Sequence, residues 1–138
     1  MHGQAKGGFE VKRTPQDALD AGDGAQIGHV RFDKRFHGPL DAASVVHMLA
    51  VGTDVPGSAA YVAIERIAGT LDGRQGSFLT QHNGILDRGQ PTLSLSVVPD
   101  SGAGELAGLT GRMAIDIVDG AHFYTFDYEL PDPVPGKD

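Results

Sequence analysis

Apolar and polar residues alternate with a period of two along most of the chain, and Gly, Pro or Asp breaks the alternation every ten to fifteen residues. Such a rhythm predicts strands that bury one face and are joined by short turns. Phe9-Glu10-Val11-Lys12 opens a first strand, ended by Thr14-Pro15. Gln16 to Gly24 is polar and acidic and reads as a loop. In the second strand, from about Gln26 to His37, Val30, Phe32 and Phe36 point one way, while His29, Arg31, Asp33, Arg35 and His37 point the other. Ala42 to Thr53 and Ala59 to Leu71 are apolar in both phases, and for the first of these a helix fits the pattern as well as a strand.

Asp72-Gly73 is a tight-hairpin signal, because both residues tolerate positive φ. A fifth strand, Gln75 to Leu86, ends near Asp87-Arg88-Gly89, and a sixth, Thr92 to Val98, stops at Pro99-Asp100. Ser101 to Gly111 is a Gly-rich loop with room for one helical turn around Glu105-Leu106-Ala107. Met113 to Val118 and His122 to Leu130 flank a further turn at Asp119-Gly120. Seven or eight strands in neighbour-to-neighbour hairpins predict an all-β fold, an eight-stranded antiparallel barrel. Residues 1–130 form its single domain, and the Pro-rich stretch 131–138 is a disordered tail that cannot pair in a sheet. An eight-stranded barrel holds either its own side chains or one small ligand. The two-sided apolar strands need their outer faces covered, which a homo-oligomer supplies.

Composition narrows the chemistry. The chain has 138 residues, with 20 Gly and 8 Pro, which fall largely at the turns just named. It has no Cys, so a disulfide scaffold, a thiolate metal site and a cysteine nucleophile are excluded. A formal charge of −7 without a basic cluster argues against nucleic acid as a partner. The opening residues lack the apolar core of a signal peptide. The longest uncharged stretch, Ala42 to Thr53, is too short for a membrane helix, so the expected location is the cytoplasm, with no membrane partner.

The stretches YVAIERIAGTLDGRQGSF (61–78), QHNG (81–84) and SVVPDSGAGELAGLTG (96–111), with GGFEVK (7–12) and FYTFDYEL (123–130) at the ends, resemble the bacterial domain of unknown function 3224 family. The resemblance implies a calycin-like barrel of the allene oxide cyclase type, and it implies no established activity. Allene oxide cyclases are cofactor-free isomerases that close a ring on a hydrophobic substrate, and the likeness to them is one of fold.

Glu65 is the most informative single residue. It lies mid-strand, in phase with Tyr61, Ala63 and Ile67, where a buried carboxylate is expected to have a raised pKa and to serve as general acid or base. An outward Glu65 would instead make a structural salt bridge. His82, in phase with Phe78 and Thr80, is the second catalytic candidate, since imidazole transfers protons near neutrality. Tyr61, Tyr124, His122, Gln81 and Asn83 are the ligand-binding candidates, Gln81 and Asn83 lying on the opposite strand face from His82. Gly102-Ala103-Gly104-Glu105-Leu106-Ala107 matches a dinucleotide fingerprint formally, but Gly108, Thr110 and Gly111 stop the helix that fingerprint needs.

No H-x-H or H-E-x-x-H spacing occurs among the six His, and His29 and His37 stand roughly 26 Å apart along an extended strand, so no metal and no other cofactor is expected. No G-x-S-x-G elbow occurs either. Two functions fit this set. One is a lumenal site for a small hydrophobic molecule, extending to its cofactor-independent isomerisation or cyclisation. The other is a non-catalytic structural or interaction module whose barrel is filled by its own side chains.

Overall fold

The structure, a computed structural model, describes residues 1–17 and 25–132. Among the described residues nine strands are formed: β1 (His2–Pro15), β2 (Ile27–Phe36), β3 (Leu40–Gly52), β4 (Ala59–Leu71), β5 (Arg74–Asp87), β6 (Gln90–Val97), the two-residue β7 (Ala103–Gly104), β8 (Thr110–Val118) and β9 (Ala121–Glu129). Their order is β4-β3-β2-β1-β9-β8-β6-β5, and a β4–β5 ladder closes the sheet into an eight-stranded antiparallel barrel with β7 added at β5. Among the described residues there is no helix, hence none long and apolar enough to cross a membrane. The segment Ala42 to Thr53, ambiguous by pattern, lies in β3 in all but its last residue. Much of Gln16 to Gly24 and most of the Pro-rich tail lie outside the described residues.

The tight turns follow their chemistry. Asp72-Gly73, Arg88-Gly89 and Asp119-Gly120 each carry two consecutive positive φ angles, as two-residue hairpins require. Two expectations differ. The first strand begins at His2 rather than Phe9, because Gly3 and Gly7, which read as breakers, lie opposite Tyr128 and Tyr124 of β9. A Cβ on Gly3 would sit 2.5 Å from the Tyr128 ring, so these glycines admit the aromatic rings rather than end the strand. The segment 105–108 forms tight turns, with Leu106 N donating to Ala103 O (3.2 Å) and Leu109 N to Leu106 O (3.1 Å), not a helix.

One phase of every strand faces inward, and the inner residues differ along the barrel axis. At the end holding the β2–β3 and β4–β5 turns, Leu40, Leu71, Phe78, Phe126 and Tyr128 fill the lumen, and Leu106 and Leu109 fold over it from the 98–109 connection. Phe78 stacks on Phe126 at 5.7 Å, and Phe36 meets Tyr124 edge-on at 5.5 Å. Met1 N donates to Leu130 O (2.8 Å) and Leu130 N to Met1 O (2.9 Å), fastening one end of the β1–β9 seam. At the opposite end the inward phase of β3, β4 and β5 carries Ala50, Gly52, Ala59 and Gly84, and the lumen is wide. The β6–β8 seam is the weakest, joined by the single bridge Ser96 to Arg112. On the outside, Leu49, Val62, Ile64 and Ile85 remain exposed in the single chain.

Candidate functional site

Glu65 sits at mid-barrel, where the filled half meets the wide half. The β3–β4–β5 ladders set Val46 opposite Glu65 and Glu65 opposite Thr80, with Ser44 and His82 one inward step away. The carboxylate is fully buried, yet completely partnered. Ser44 Oγ donates to Oε2 at 2.5 Å, while His82 Nε2 stands 2.7 Å from Oε1, Thr80 Oγ1 3.4 Å and Lys34 Nζ 3.5 Å. A carboxylate only accepts, so His82 carries a proton on Nε2. Thr80 Oγ1 also lies 3.2 Å from His82 Nε2, so the cluster is one network across β2 to β5.

This arrangement reverses the expected titration. Burial pushes the Glu65 carboxyl up, but the His82 hydrogen bond, the Lys34 and His82 charges and the Ser44 hydrogen bond outweigh it and hold the group below the ordinary range. Glu65 is therefore a buried anion, not a proton donor held in reserve, and its oxygens are spent on the protein's own groups.

Lys34 is the residue that the sequence reading passed over. Its side chain is 8% exposed, and its ammonium lies 5.0 Å from the centre of the Phe9 ring and 5.8 Å from that of Phe36. Aromatic faces attract a cation but accept no strong hydrogen bond, so the 3.5 Å contact to Glu65 leaves ammonium donors unspent. The available signal was parity: Lys34 shares the inward phase of Val30, Phe32 and Phe36. Ser44 and Thr80 were hidden in the same way, as small polar residues in apolar runs.

Two adjoining cavities begin at this cluster. The inner one, about 280 Å³, is lined by Lys34, His82, His122 and Tyr61 among apolar walls that include Phe9, Phe32, Val46 and Ile115. The outer one, about 740 Å³, lies at the wide end and is lined mostly by apolar and small residues, Ile27, Ala50, Ala59, Gly84, Leu86 and Leu93 among them. Met48 and Tyr61 border both. Tyr61 stands directly opposite Gly84, where a Cβ would come within 2.4 Å of the ring. Burial first, and then the Glu65 charge, push the Tyr61 phenol up, so it stays protonated and keeps its donor. His122 packs on Phe9 with ring centres 5.2 Å apart.

The remaining candidates separate from this site. Tyr124 is buried in the filled half, and its hydroxyl accepts from Leu40 N (3.1 Å) and donates to His37 O (2.8 Å), tying down the β2–β3 turn. Gln81 and Asn83 are exposed on the outer face of β5, across the sheet from the lumen. Among the described residues no group of three or more His, Asp or Glu side chains is placed to hold a metal ion.

These features can now be set beside known proteins. The sequence profile of a family described as protein of unknown function (DUF3224) matches residues 5–128. The chain belongs to the DUF3224 family. A crystal structure of a DUF3224 protein of unknown function from Shewanella oneidensis shares 48% identity, with a TM-score of 0.90 over 96% of this chain and 100% of the other. No curated protein matches the chain. Family membership thus fixes the barrel and leaves the chemistry to the site.

Proposed function

We propose that this DUF3224 protein binds a small, predominantly apolar molecule inside the wide half of its barrel. The observation that carries the reading is the pair of adjoining cavities, about 280 and 740 Å³, that end on a buried polar cluster. A mostly apolar hollow of this size with a few convergent polar groups has the character of a ligand site. Titration with the neutral fluorophore N-phenylnaphthylamine tests it. Saturable binding is expected in the native protein and is expected to disappear in Ala50→Phe, which fills the outer cavity. An absence of saturable binding, or binding untouched by Ala50→Phe, overturns the reading in favour of a purely structural barrel.

A second reading, cofactor-independent isomerisation, draws on the Glu65–His82 pair. Glu65 holds His82 through Nε2, and His82 borders the inner cavity, so the imidazole is the group suited to pass a proton to a bound molecule and take one back. Molecules extracted from native and His82→Asn protein, purified from the same host and compared by chromatographic retention, decide between the two. A different isomer in the variant supports turnover, and the same molecule in both supports binding alone.

A further inference from the structure

The polar groups facing the inner cavity are all of one kind. Lys34 brings an ammonium with unspent donors, Tyr61 a phenol kept protonated by its surroundings, and His82 and His122 two imidazoles. The nearby carboxylate, Glu65, is fully buried and its oxygens are engaged by Ser44, His82, Thr80 and Lys34. A ligand that reaches this wall therefore meets donors and the Lys34 ammonium, while the acceptor that would welcome a cation is sealed behind them. Above the wall the lining turns apolar through Met48 into the outer cavity.

We infer that the ligand is an amphiphile with a carboxylate head, held head-inward against Lys34, Tyr61 and His122, with its apolar tail running past Met48 into the outer cavity. The inference rests on the lumenal binding proposed above and names its substrate class and orientation. Glu65 already balances the Lys34 charge, so a head group is held by the donors that Lys34 keeps unspent, and a monoanion brings the smaller charge to accommodate. A dianionic phosphate head would bring a second charge among apolar walls, which is expensive at low dielectric. A charge-assisted hydrogen bond in such a wall is among the stronger contacts a protein makes.

The test compares decanoate, decanol and decylamine as displacers of N-phenylnaphthylamine from the native protein and from Lys34→Met, which keeps most of the apolar stem. In the native protein decanoate is expected to bind about ten-fold or more tighter than decanol, and decylamine weakest. In Lys34→Met the preference for decanoate over decanol is expected to vanish, with decanol affinity little changed. Equal binding of decanoate and decanol by the native protein overturns the head-group inference while leaving lumenal binding intact. So does a decanoate preference that survives in Lys34→Met. If the neutral fluorophore finds no site at all, the lumenal reading itself falls. Should Lys34→Met fail to fold, the head-group series on the native protein still decides the matter.

Discussion

The same strands build two unlike halves. From mid-barrel toward the β4–β5 turn, β4 turns Ile67 and Leu71 inward and β5 turns Phe78 inward, and these meet Phe126 and Tyr128 in a close-packed core. Toward the other end the same two strands turn Ala59 and Gly84 inward, and space remains. Strand propensity and hairpin chemistry are equal in both halves, so side-chain volume in the inward phase decides which half is core and which is site. The boundary falls on Glu65, where the packed half supplies rigidity and the wide half supplies room.

Cavity-creating substitutions are the strongest way to break that contrast. Phe126→Ala removes a fully buried ring stacked on Phe78, and the loss expected in chemical denaturation is about 3–5 kcal/mol. Met48→Ala, in the half-buried wall shared by both cavities, removes contacts that are already incomplete and is expected to lose about 1 kcal/mol. Equal losses at the two positions would mean that the wide half is packed as tightly as the other.

Glu65→Gln probes the boundary itself. Removing one charge of a buried pair leaves Lys34 uncompensated, and about 3 kcal/mol of stability is expected to go. Glu65→Gln combined with Lys34→Met should recover much of it. The pH dependence has a definite sign. A carboxyl held below its ordinary value of 4.5 stabilises the fold above that value, and the contribution is lost as pH falls through the lower folded value. The native protein should therefore lose stability more steeply than Glu65→Gln below about pH 4.5, as followed by thermal melts across that range.

Much of this was legible in the sequence. The bounds of β4, the tight turns at Asp72-Gly73 and Asp119-Gly120 and the shared phase of Tyr61 and Glu65 follow from alternation and turn chemistry, which are local; which phase faces the lumen does not. What was not legible depends on closure of the sheet. Lys34 lies in a strand whose other phase is charged, so nothing local set it apart. Only the β2–β3–β4 ladders bring it to Glu65 and turn a carboxylate expected to be protonated into an anion. Tyr124 and His122 share a strand phase and differ only in position along the axis, which a periodicity cannot report. Gly84 likewise reads as a weak point in a strand, yet it stands where it seats the Tyr61 ring.

Gly84→Ala is the next test in size. The added methyl would meet the Tyr61 ring, which has the cavity to move into. The expected result is about a ten-fold loss of N-phenylnaphthylamine affinity, with a stability change of about 1 kcal/mol. An unchanged affinity would mean that the ring moves away from the cavity rather than into it.

Substitution also separates two tyrosines that look alike in sequence. The Tyr124 hydroxyl is the acceptor for buried Leu40 N, so Tyr124→Phe leaves a donor unsatisfied and should cost about 1–3 kcal/mol without touching ligand affinity. Among the described residues no hydrogen bond reaches the Tyr61 hydroxyl, so Tyr61→Phe should leave stability within about 0.5 kcal/mol. Its effect should fall on the ligand instead, with about a three-fold loss of decanoate affinity and none for decanol, because the donor it removes faces the head group. A stability loss in Tyr61→Phe comparable to that in Tyr124→Phe would show the phenol to be a structural tie, and would move the boundary between core and site one residue pair toward the wide end.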